Sequence, residues 1–338
     1  MRVAVIGAGS WGTTLADLLA RNGHDVAVWA LEAEVVEAIN ARHENTVFLP
    51  GAELAESIVA HGDIVTAVRG AELVVSASPS HAVRAVSARV AQALGDRAPT
   101  SAPAPVVVSV SKGLEEGTHD FMSEILGETL PGCSVVALSG PTFAKEVSAR
   151  QPTALVAASR NPTAAETVQQ VFSNRYFRVY TSSDVVGVEL GGALKNVIAL
   201  AAGILDGIGL GHNPRAALIT RGLAEITRLG VALGAEASTF AGLAGMGDLL
   251  LTATGTLSRN RTLGVELGKG RSLEDALRGR RTVAEGVRTA RTAVELGERE
   301  GVELPIAQEV SHILFEGKPP LQAIEDLMER ELKAEHWR

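Results

Sequence analysis

The chain has 338 residues, 46% of them hydrophobic and 21% charged, so it holds enough apolar sequence to bury two domains of ordinary size. Its formal net charge of -8 argues against general nucleic-acid binding, which needs a basic surface. The single cysteine, Cys133, excludes an internal disulfide and fits a reducing compartment. The N-terminus has a strand pattern rather than a signal peptide, and no uncharged apolar stretch reaches membrane-spanning length, so we expect a soluble cytoplasmic protein.

The first dozen residues have the pattern of a dinucleotide-binding turn. An apolar, β-branched run over residues 3–6 predicts a buried parallel strand, and residues 13–20 predict a helix. Between them stands G-x-G-x-x-G, in the strand-then-helix context that the motif requires. Gly7 allows the tight turn, Gly9 lets a pyrophosphate approach the backbone, and Gly12 lets the helix pack against the strand. The alternative, a plain turn with three incidental glycines, fits this context less well.

A second predicted strand, residues 25–29, leads to an acid that bears on cofactor choice. Glu32 lies about 20 residues after the last glycine of the turn, where an acid usually meets the ribose 2′-hydroxyl of the adenosine. A carboxylate there would repel the 2′-phosphate of NADP. The alternative is that Glu32 only opens the next helix, residues 34–42, and the sequence leaves both interpretations open.

Strand and helix patterns continue to alternate up to about residue 182. Further strands are predicted over residues 63–68, 72–78, 106–110, 134–138, 153–158 and 176–180. Residues 81–94 have helical spacing, and residues 95–105, rich in Pro, Ala and Ser, predict a surface loop. This alternation predicts an α/β fold with a Rossmann-like, doubly wound parallel sheet, which binds ligands at the carboxyl ends of its strands. Two such ends deliver Lys112 and the turn over residues 139–142.

From about Val188 the strand patterns stop and the remaining sequence has helical spacing. Helices are predicted over residues 189–205, 214–233, 272–277, 285–299, 304–315 and 321–333, and residues 242–247 predict a loop or a tight helix junction. We therefore predict two domains: a dinucleotide-binding domain over residues 1–185 and an all-α substrate-binding and catalytic domain over residues 186–338.

Lys195 is the sharpest candidate for chemistry in the helical part. It lies off the apolar stripe of its predicted helix. The other residues of its face are small: Gly191, Gly192, Ala199 and Gly203. We expect a cleft there, and partial burial or a nearby cation would lower the pKa of Lys195 and suit it to proton transfer. The alternative is a solvated lysine beside glycines that serve helix packing. Asn196 follows it and can donate to a substrate oxygen.

Two later segments suit a small anionic substrate. Asp248 stands among apolar residues after the glycine-rich stretch, where it can position a substrate hydroxyl, tune Lys195 or cap the next helix. Residues 258–261 read Ser-Arg-Asn-Arg, and arginine offers a planar fork of donors to phosphate oxygens; the alternative is a solvated run of charge. Three histidines, His81, His119 and His212, lack the spacing of metal ligands. We therefore predict no metal site.

Taken together, these motifs closely resemble the soluble, bacterial-type NAD(P)-dependent glycerol-3-phosphate dehydrogenases over nearly the whole chain. The matching segments, in chain order, are residues 7–13, 109–113, 139–144, 194–197, 220–222, 247–252 and 258–260. Each motif is moderately specific by itself, and their shared order makes the resemblance specific. It implies a commonly dimeric, cytoplasmic enzyme that transfers hydride reversibly between NAD(P) and dihydroxyacetone phosphate, giving sn-glycerol 3-phosphate for phospholipid synthesis.

The resemblance also implies roles for individual residues. Lys195 stands at the catalytic lysine, and Lys112 at a residue that touches both substrate and cofactor. Further substrate contacts are implied at Gly140, Thr142, Asp248, Ser258, Arg259 and Asn260. Further cofactor contacts are implied at Ser10, Trp11, Ala144, Arg259, Val283 and Glu285. They join the residues expected from the pattern itself, namely Gly7, Gly9, Gly12 and Glu32 for the cofactor and Asn196 for the substrate.

One departure from the family concerns cofactor choice. The family often has an arginine after the second strand, where it can meet the adenosine phosphate of NADP, and this chain has Leu31 followed by Glu32. We therefore expect NAD to be preferred and NADP to be the secondary cofactor. Two other functions stay open from sequence: a dehydrogenase for another small hydroxy acid, and a dinucleotide sensor without turnover.

Overall fold

A mixed eight-stranded sheet forms the first part of the computed structural model, which describes residues 1–95, 104–278 and 284–335. The strands are β1 (Arg2–Ile6), β2 (Asp25–Trp29), β3 (Glu44–Asn45), β4 (Leu49–Glu53), β5 (Val59–His61), β6 (Leu73–Ser76), β7 (Val106–Ser109), β8 (Val135–Ser139), β9 (Thr153–Ala158) and β10 (Phe177–Ser182). The sheet order is β10-β9-β8-β7-β6-β1-β2-β5, and β3 and β4 form a separate hairpin. Residues 96–103 of the predicted surface loop lie outside the described residues.

Helices cover both faces of this sheet. They are α1 (Ser10–Arg21), α2 (Ala33–Arg42), α3 (Ile64–Val68), α4 (Val83–Gly95), α5 (Met122–Thr129), α6 (Ala144–Ser148) and α7 (Pro162–Phe172). Alternate residues of β1 face different cores, because successive side chains of a strand point to opposite faces. Val3 and Val5 pack in one buried cluster, whereas Ala4 and Ile6 pack in another. A strand that is apolar on both faces is the expected mark of a sheet covered on both sides.

Two predictions about this part need correction. Residues 63–68 form helix α3 rather than a strand, because the carboxylate of Asp63 accepts the N–H groups of Val65 (3.3 Å) and Thr66 (3.0 Å) and so caps a helical turn. The sheet is also not parallel throughout, since β8 and β9 pair antiparallel. Antiparallel neighbours need no long crossover, and the short helix α6 is enough to connect them.

The second part of the chain is helical. Its helices are α8 (Val185–Ile208), α9 (His212–Ala232), α10 (Ala237–Phe240), α11 (Asp248–Thr254), α12 (Arg259–Gly268), α13 (Leu273–Leu277), α14 (Glu285–Glu300), α15 (Pro305–Phe315) and α16 (Pro320–Met328). The predicted tight helix junction is a π-helical turn, Leu243–Gly247, that runs into α11. Helix α8 is long and apolar enough to cross a membrane, but 89% of its apolar window is buried within the protein, as in a core helix.

Helices α8 and α12 touch through their backbones. A Cβ atom at Gly203 would overlap the carbonyl oxygen of Arg261, and a Cβ atom at Gly264 would overlap that of Leu200. The small residues near Lys195 therefore serve close packing. The space beside Gly191 is similarly occupied by the main chain of Ala244, so the prediction of a cleft along this face is wrong.

We predict opposite effects for two Gly→Ala substitutions in helices. Gly203→Ala should lower stability by about 1–3 kcal/mol, because its methyl group forces α8 and α12 apart. Gly127→Ala, on the exposed face of α5, has no atom of the described residues within 4 Å of its Cβ position and should be neutral or stabilising by up to about 1 kcal/mol, since alanine favours helix. Urea unfolding of both variants measures the difference. Equal midpoints for the two would contradict the contact between α8 and α12.

Candidate active site

The glycine turn after β1 has the geometry of a dinucleotide site. Gly7 has a φ of +118°, and a Cβ atom there would lie 2.8 Å from the carbonyl oxygen of Ala77, just after β6. A Cβ atom at Gly12 would overlap the carbonyl oxygen of Gly7, so glycine is required for α1 to start this close to the turn. Around Gly9, by contrast, the Cβ position faces open space. These residues fit a bound pyrophosphate, which needs room above the turn and the N-terminus of α1.

The predicted cofactor residues near this turn differ in their packing and in their hydrogen bonds. Ser10 and Trp11 are half-buried in the first turn of α1, and Trp11 packs against the core. Glu32 occupies the N-cap position of α2 but makes no capping hydrogen bond with its side chain, so its carboxylate is not committed to opening that helix. Leu31 beside it is 76% exposed.

A buried carboxylate joins two lysines where the sheet meets the helical part. Asp248 accepts a hydrogen bond from Lys195 Nζ on Oδ1 (2.6 Å) and another from Lys112 Nζ on Oδ2 (2.7 Å). Lys112 follows β7 and Lys195 lies on α8, so the acid bridges both parts of the chain. Asp248 is the first residue of α11 and Gly247 is its N-cap, so the capping role considered for Asp248 is wrong.

Lys195 is buried, not solvated. Its side chain is 8% exposed, and Nζ also donates to Thr252 Oγ1 (2.7 Å), whose hydroxyl in turn donates to the backbone oxygen of Asp248 (2.6 Å). Burial lowers the pKa of Lys195 to about 7; the attraction of Asp248 opposes this shift and the charge of Lys112 adds to it. An amine with such a pKa can give or take a proton near neutral pH.

The turn after β8 supports Lys112 and leads to a contact with α1. Lys112 Nζ donates to the carbonyl oxygen of Gly140 (3.0 Å), and Thr142 Oγ1 donates to the same oxygen (3.2 Å). Ala144 begins α6, and its carbonyl oxygen accepts from Thr14 of α1 (3.3 Å). The predicted substrate and cofactor residues of this turn therefore stand between the lysine pair and the helix that follows the glycines.

Two predicted substrate residues form a directed chain of amides. The N–H of Gly286 in α14 donates to Asn260 Oδ1 (3.0 Å), and Asn260 Nδ2 donates to Asn196 Oδ1 (2.9 Å). Because a backbone N–H can only donate, it fixes the orientation of both amides. The NH₂ group of Asn196, next to Lys195, is then left as a donor, with one weak bond to its own helix at Gly192 (3.4 Å).

The Ser-Arg-Asn-Arg segment divides into buried and exposed residues. Ser258 caps α12 by accepting from the N–H of Arg261 (3.2 Å), and the Arg261 guanidinium pairs with Asp206 (2.6 Å). Arg259 has exposed surface at the start of α12, but the protein around its guanidinium lowers its pKa, and the charge of Glu285 opposes that shift. The segment is thus not a uniformly solvated run: Arg261 is paired with Asp206, whereas Arg259 lies near Glu285.

Sequence reasoning missed two polar residues of this region and proposed one that lies outside the described residues. Thr252 stands in the motif that drew attention to Asp248, four residues along the same helix, and that spacing was the available signal. Ser80 contacts Glu285, and no sequence pattern pointed to it. Val283 lies outside the described residues. Within the part of the chain that the structure describes, no three His, Cys, Asp or Glu side chains form a group that could hold a metal ion.

Comparison with known proteins gives matches along the whole chain. Residues 2–165 match the family model described as NAD-dependent glycerol-3-phosphate dehydrogenase N-terminus, and residues 184–325 match its C-terminus counterpart. Glycerol-3-phosphate dehydrogenase [NAD(P)+] of Geobacter sulfurreducens is 55% identical over 340 residues, covering 99% of each chain. The protein of that name from Syntrophotalea carbinolica is also 55% identical, over 338 residues and 99% of each chain.

Solved structures agree with these matches. The crystal structure of glycerol-3-phosphate dehydrogenase from Coxiella burnetii superposes with a TM-score of 0.91 at 36% identity, covering 97% of this chain and 99% of that one. The yeast enzyme superposes with a TM-score of 0.81 at 28% identity, covering 98% and 99%. The chain therefore belongs to the NAD-dependent glycerol-3-phosphate dehydrogenase family.

Proposed function

We propose that this protein is an NAD(P)-dependent sn-glycerol-3-phosphate dehydrogenase that reduces dihydroxyacetone phosphate reversibly. The observation that carries the proposal is the pair of lysines on the buried carboxylate of Asp248, beside a turn that fits a dinucleotide, in a chain of this family. The product, sn-glycerol 3-phosphate, is the backbone precursor of phospholipids. The family resemblance implies that it is used for their synthesis.

Lys195 is the proposed proton donor and acceptor. When bound, the nicotinamide cofactor supplies or removes the hydride at C2 of the substrate. Reduction makes an alkoxide at that carbon, and the ammonium group of Lys195 protonates it, a role that a pKa near 7 permits at neutral pH. In the oxidising direction the neutral amine takes the hydroxyl proton. The charge of Lys112, 2.7 Å from the same carboxylate, stabilises the developing negative charge.

The remaining site residues hold the substrate in place. Asn196 presents N–H groups beside Lys195 and is suited to donate to the substrate oxygen. Arg259, exposed at the N-terminus of α12, is the proposed phosphate contact, together with Ser258 and Asn260. Binding energy at the phosphate then positions the carbonyl at the other end of the substrate. Gly140 and Thr142 complete the proposed substrate contacts.

NAD is the proposed preferred cofactor. The exposed Leu31 cannot pair with a 2′-phosphate, and the uncommitted carboxylate of Glu32 repels one while it can accept from a ribose hydroxyl. NADP remains the secondary cofactor of this proposal. Ser10, Trp11, Ala144, Val283 and Glu285 are proposed as further cofactor contacts.

The proposal also assigns a role to each domain, an oligomeric state and a location in the cell. Residues 1–185 bind the cofactor and residues 186–338 carry the catalytic lysine, so the reaction takes place between two domains. A homodimer in the cytoplasm is proposed from the family resemblance.

We predict that the purified protein oxidises NADH only when dihydroxyacetone phosphate is present, with a higher kcat/KM for NADH than for NADPH. Lys195→Ala should lower kcat by about 10²- to 10⁴-fold, since it removes the proton donor. Lys145→Ala, at an exposed lysine on α6, should act like the wild type. Absorbance at 340 nm measures all of these rates.

Other outcomes of this assay would contradict the proposal in defined ways. Faster turnover of a non-phosphorylated keto acid would show a different hydroxy-acid dehydrogenase. Binding of NADH without any oxidation would show a sensor, and an NADPH advantage would reject the cofactor preference alone.

We predict that Thr252→Val lowers kcat for reduction about tenfold, because a buried ammonium that loses one acceptor is destabilised by about 1–3 kcal/mol. The matched control is Thr254→Val on the same helix, where an exposed hydroxyl bonds the backbone oxygen of Leu250 (2.7 Å). Steady-state rates of the two variants at pH 7 measure the effect. Equal rates would show that the hydroxyl of Thr252 does not support Lys195.

A further inference from the structure

Two glutamates of the helical part each accept a pair of hydrogen bonds from a serine in the first turn of a helix in the sheet-containing part. The Glu285 carboxylate accepts the backbone N–H of Ser80 (3.3 Å) and the hydroxyl of the same residue. The Glu189 carboxylate accepts the N–H of Ser123 (3.0 Å) and its hydroxyl. Ser80 opens a 3-10 turn, Ser80–Ala82, that leads into α4, and Ser123 lies in the first turn of α5. In both contacts, a glutamate carboxylate thus accepts the backbone N–H and the hydroxyl of one serine.

Their locations differ in a way that bears on function. A Cβ atom at Gly113, directly after Lys112, would lie 2.7 Å from Ser80 Cβ and 3.6 Å from Glu285 Oε2. The residue that follows Glu285 donates its N–H to Asn260. The Ser80–Glu285 contact therefore lies between Lys112, a proposed contact of substrate and cofactor, and the start of α14. The Ser123–Glu189 contact includes none of the proposed substrate or cofactor residues.

We propose that Ser80 is a positioning residue for cofactor binding, which it serves by holding the Glu285 carboxylate at the site. The proposal rests on the proposed cofactor role of Glu285. A carboxylate offers about four lone-pair sites, of which Ser80 uses two, so the others are available to hydroxyl donors such as those on the riboses of NAD(H). The nearby charge of Arg259 attracts the same carboxylate. Without the Ser80 hydroxyl, the Glu285 carboxylate and the first turn of α14 lose a hydrogen bond to the sheet-containing part of the chain.

The test compares Ser80→Ala with Ser123→Ala, which each remove one hydroxyl from a Ser–Glu contact. NADH binding is measured by fluorescence titration without substrate, and thermal unfolding is recorded for both. Ser80→Ala should raise the Kd for NADH about five- to tenfold and raise the KM for NADH more than it lowers kcat. Ser123→Ala should lower the unfolding temperature and leave the Kd for NADH unchanged. An unchanged Kd in Ser80→Ala, or an equal rise in both variants, would overturn the proposal.

Two further variants separate this proposal from the one on which it rests. If Glu285→Ala binds NADH as tightly as the wild type, the cofactor role of Glu285 fails. If Glu285→Ala weakens binding and Ser80→Ala does not, only the role of Ser80 fails. Gly113→Ala provides a second way to displace Ser80, because its added methyl group collides with that side chain, and it should raise the Kd for NADH in the same direction.

Discussion

The site depends on one buried carboxylate that two lysines share. Asp248 has no exposed surface, and a lone buried charge of this kind is strongly destabilising. Lys112 and Lys195 each donate to one of its two oxygens, so neither oxygen is left without a partner. When Lys195 is protonated, two cations face one anion, and the excess of positive charge suits a phosphorylated substrate. The same burial that strengthens these attractions lowers the pKa of Lys195. The same three side chains therefore stabilise the structure as an ion cluster and provide the proton-transfer group.

Because the lysines come from different parts of the chain, their meeting depends on close packing around α8. Gly192 lies one turn before Lys195, and a Cβ atom there would stand 2.8 Å from Ser139 Oγ and 3.5 Å from Lys112 Cγ. Gly191 similarly admits the main chain of Ala244, in the turn that leads to Asp248. A larger residue at either position would separate α8 from the groups it must reach. The glycines near Lys195 thus contribute to the site by allowing short distances rather than by leaving space.

Local patterns explain what the sequence predicted, and long-range contacts explain what it did not. The glycine turn, the alternation up to β10 and the change to helix at α8 follow from periodicity and glycine placement. The family resemblance is confirmed by full-length matches. The antiparallel pairing of β8 with β9 and the helix that begins after Asp63 depend on chain reversal and a cap. The contact between Ser80 and Glu285 joins residues 205 positions apart, and no local pattern encodes it.

The central claim, that the buried and acid-paired Lys195 is the proton-transfer group, is tested most directly by the pH dependence of kcat/KM in both directions. Burial lowers the pKa of Lys195 to about 7, so the protonated form that reduction needs is present below that pH and lost above it. We predict that kcat/KM for dihydroxyacetone phosphate falls as pH rises through about 7, and that kcat/KM for sn-glycerol 3-phosphate rises through the same pH. Profiles without such an inflection between pH 6 and 9, or an inflection that persists in Lys195→Ala, would contradict it.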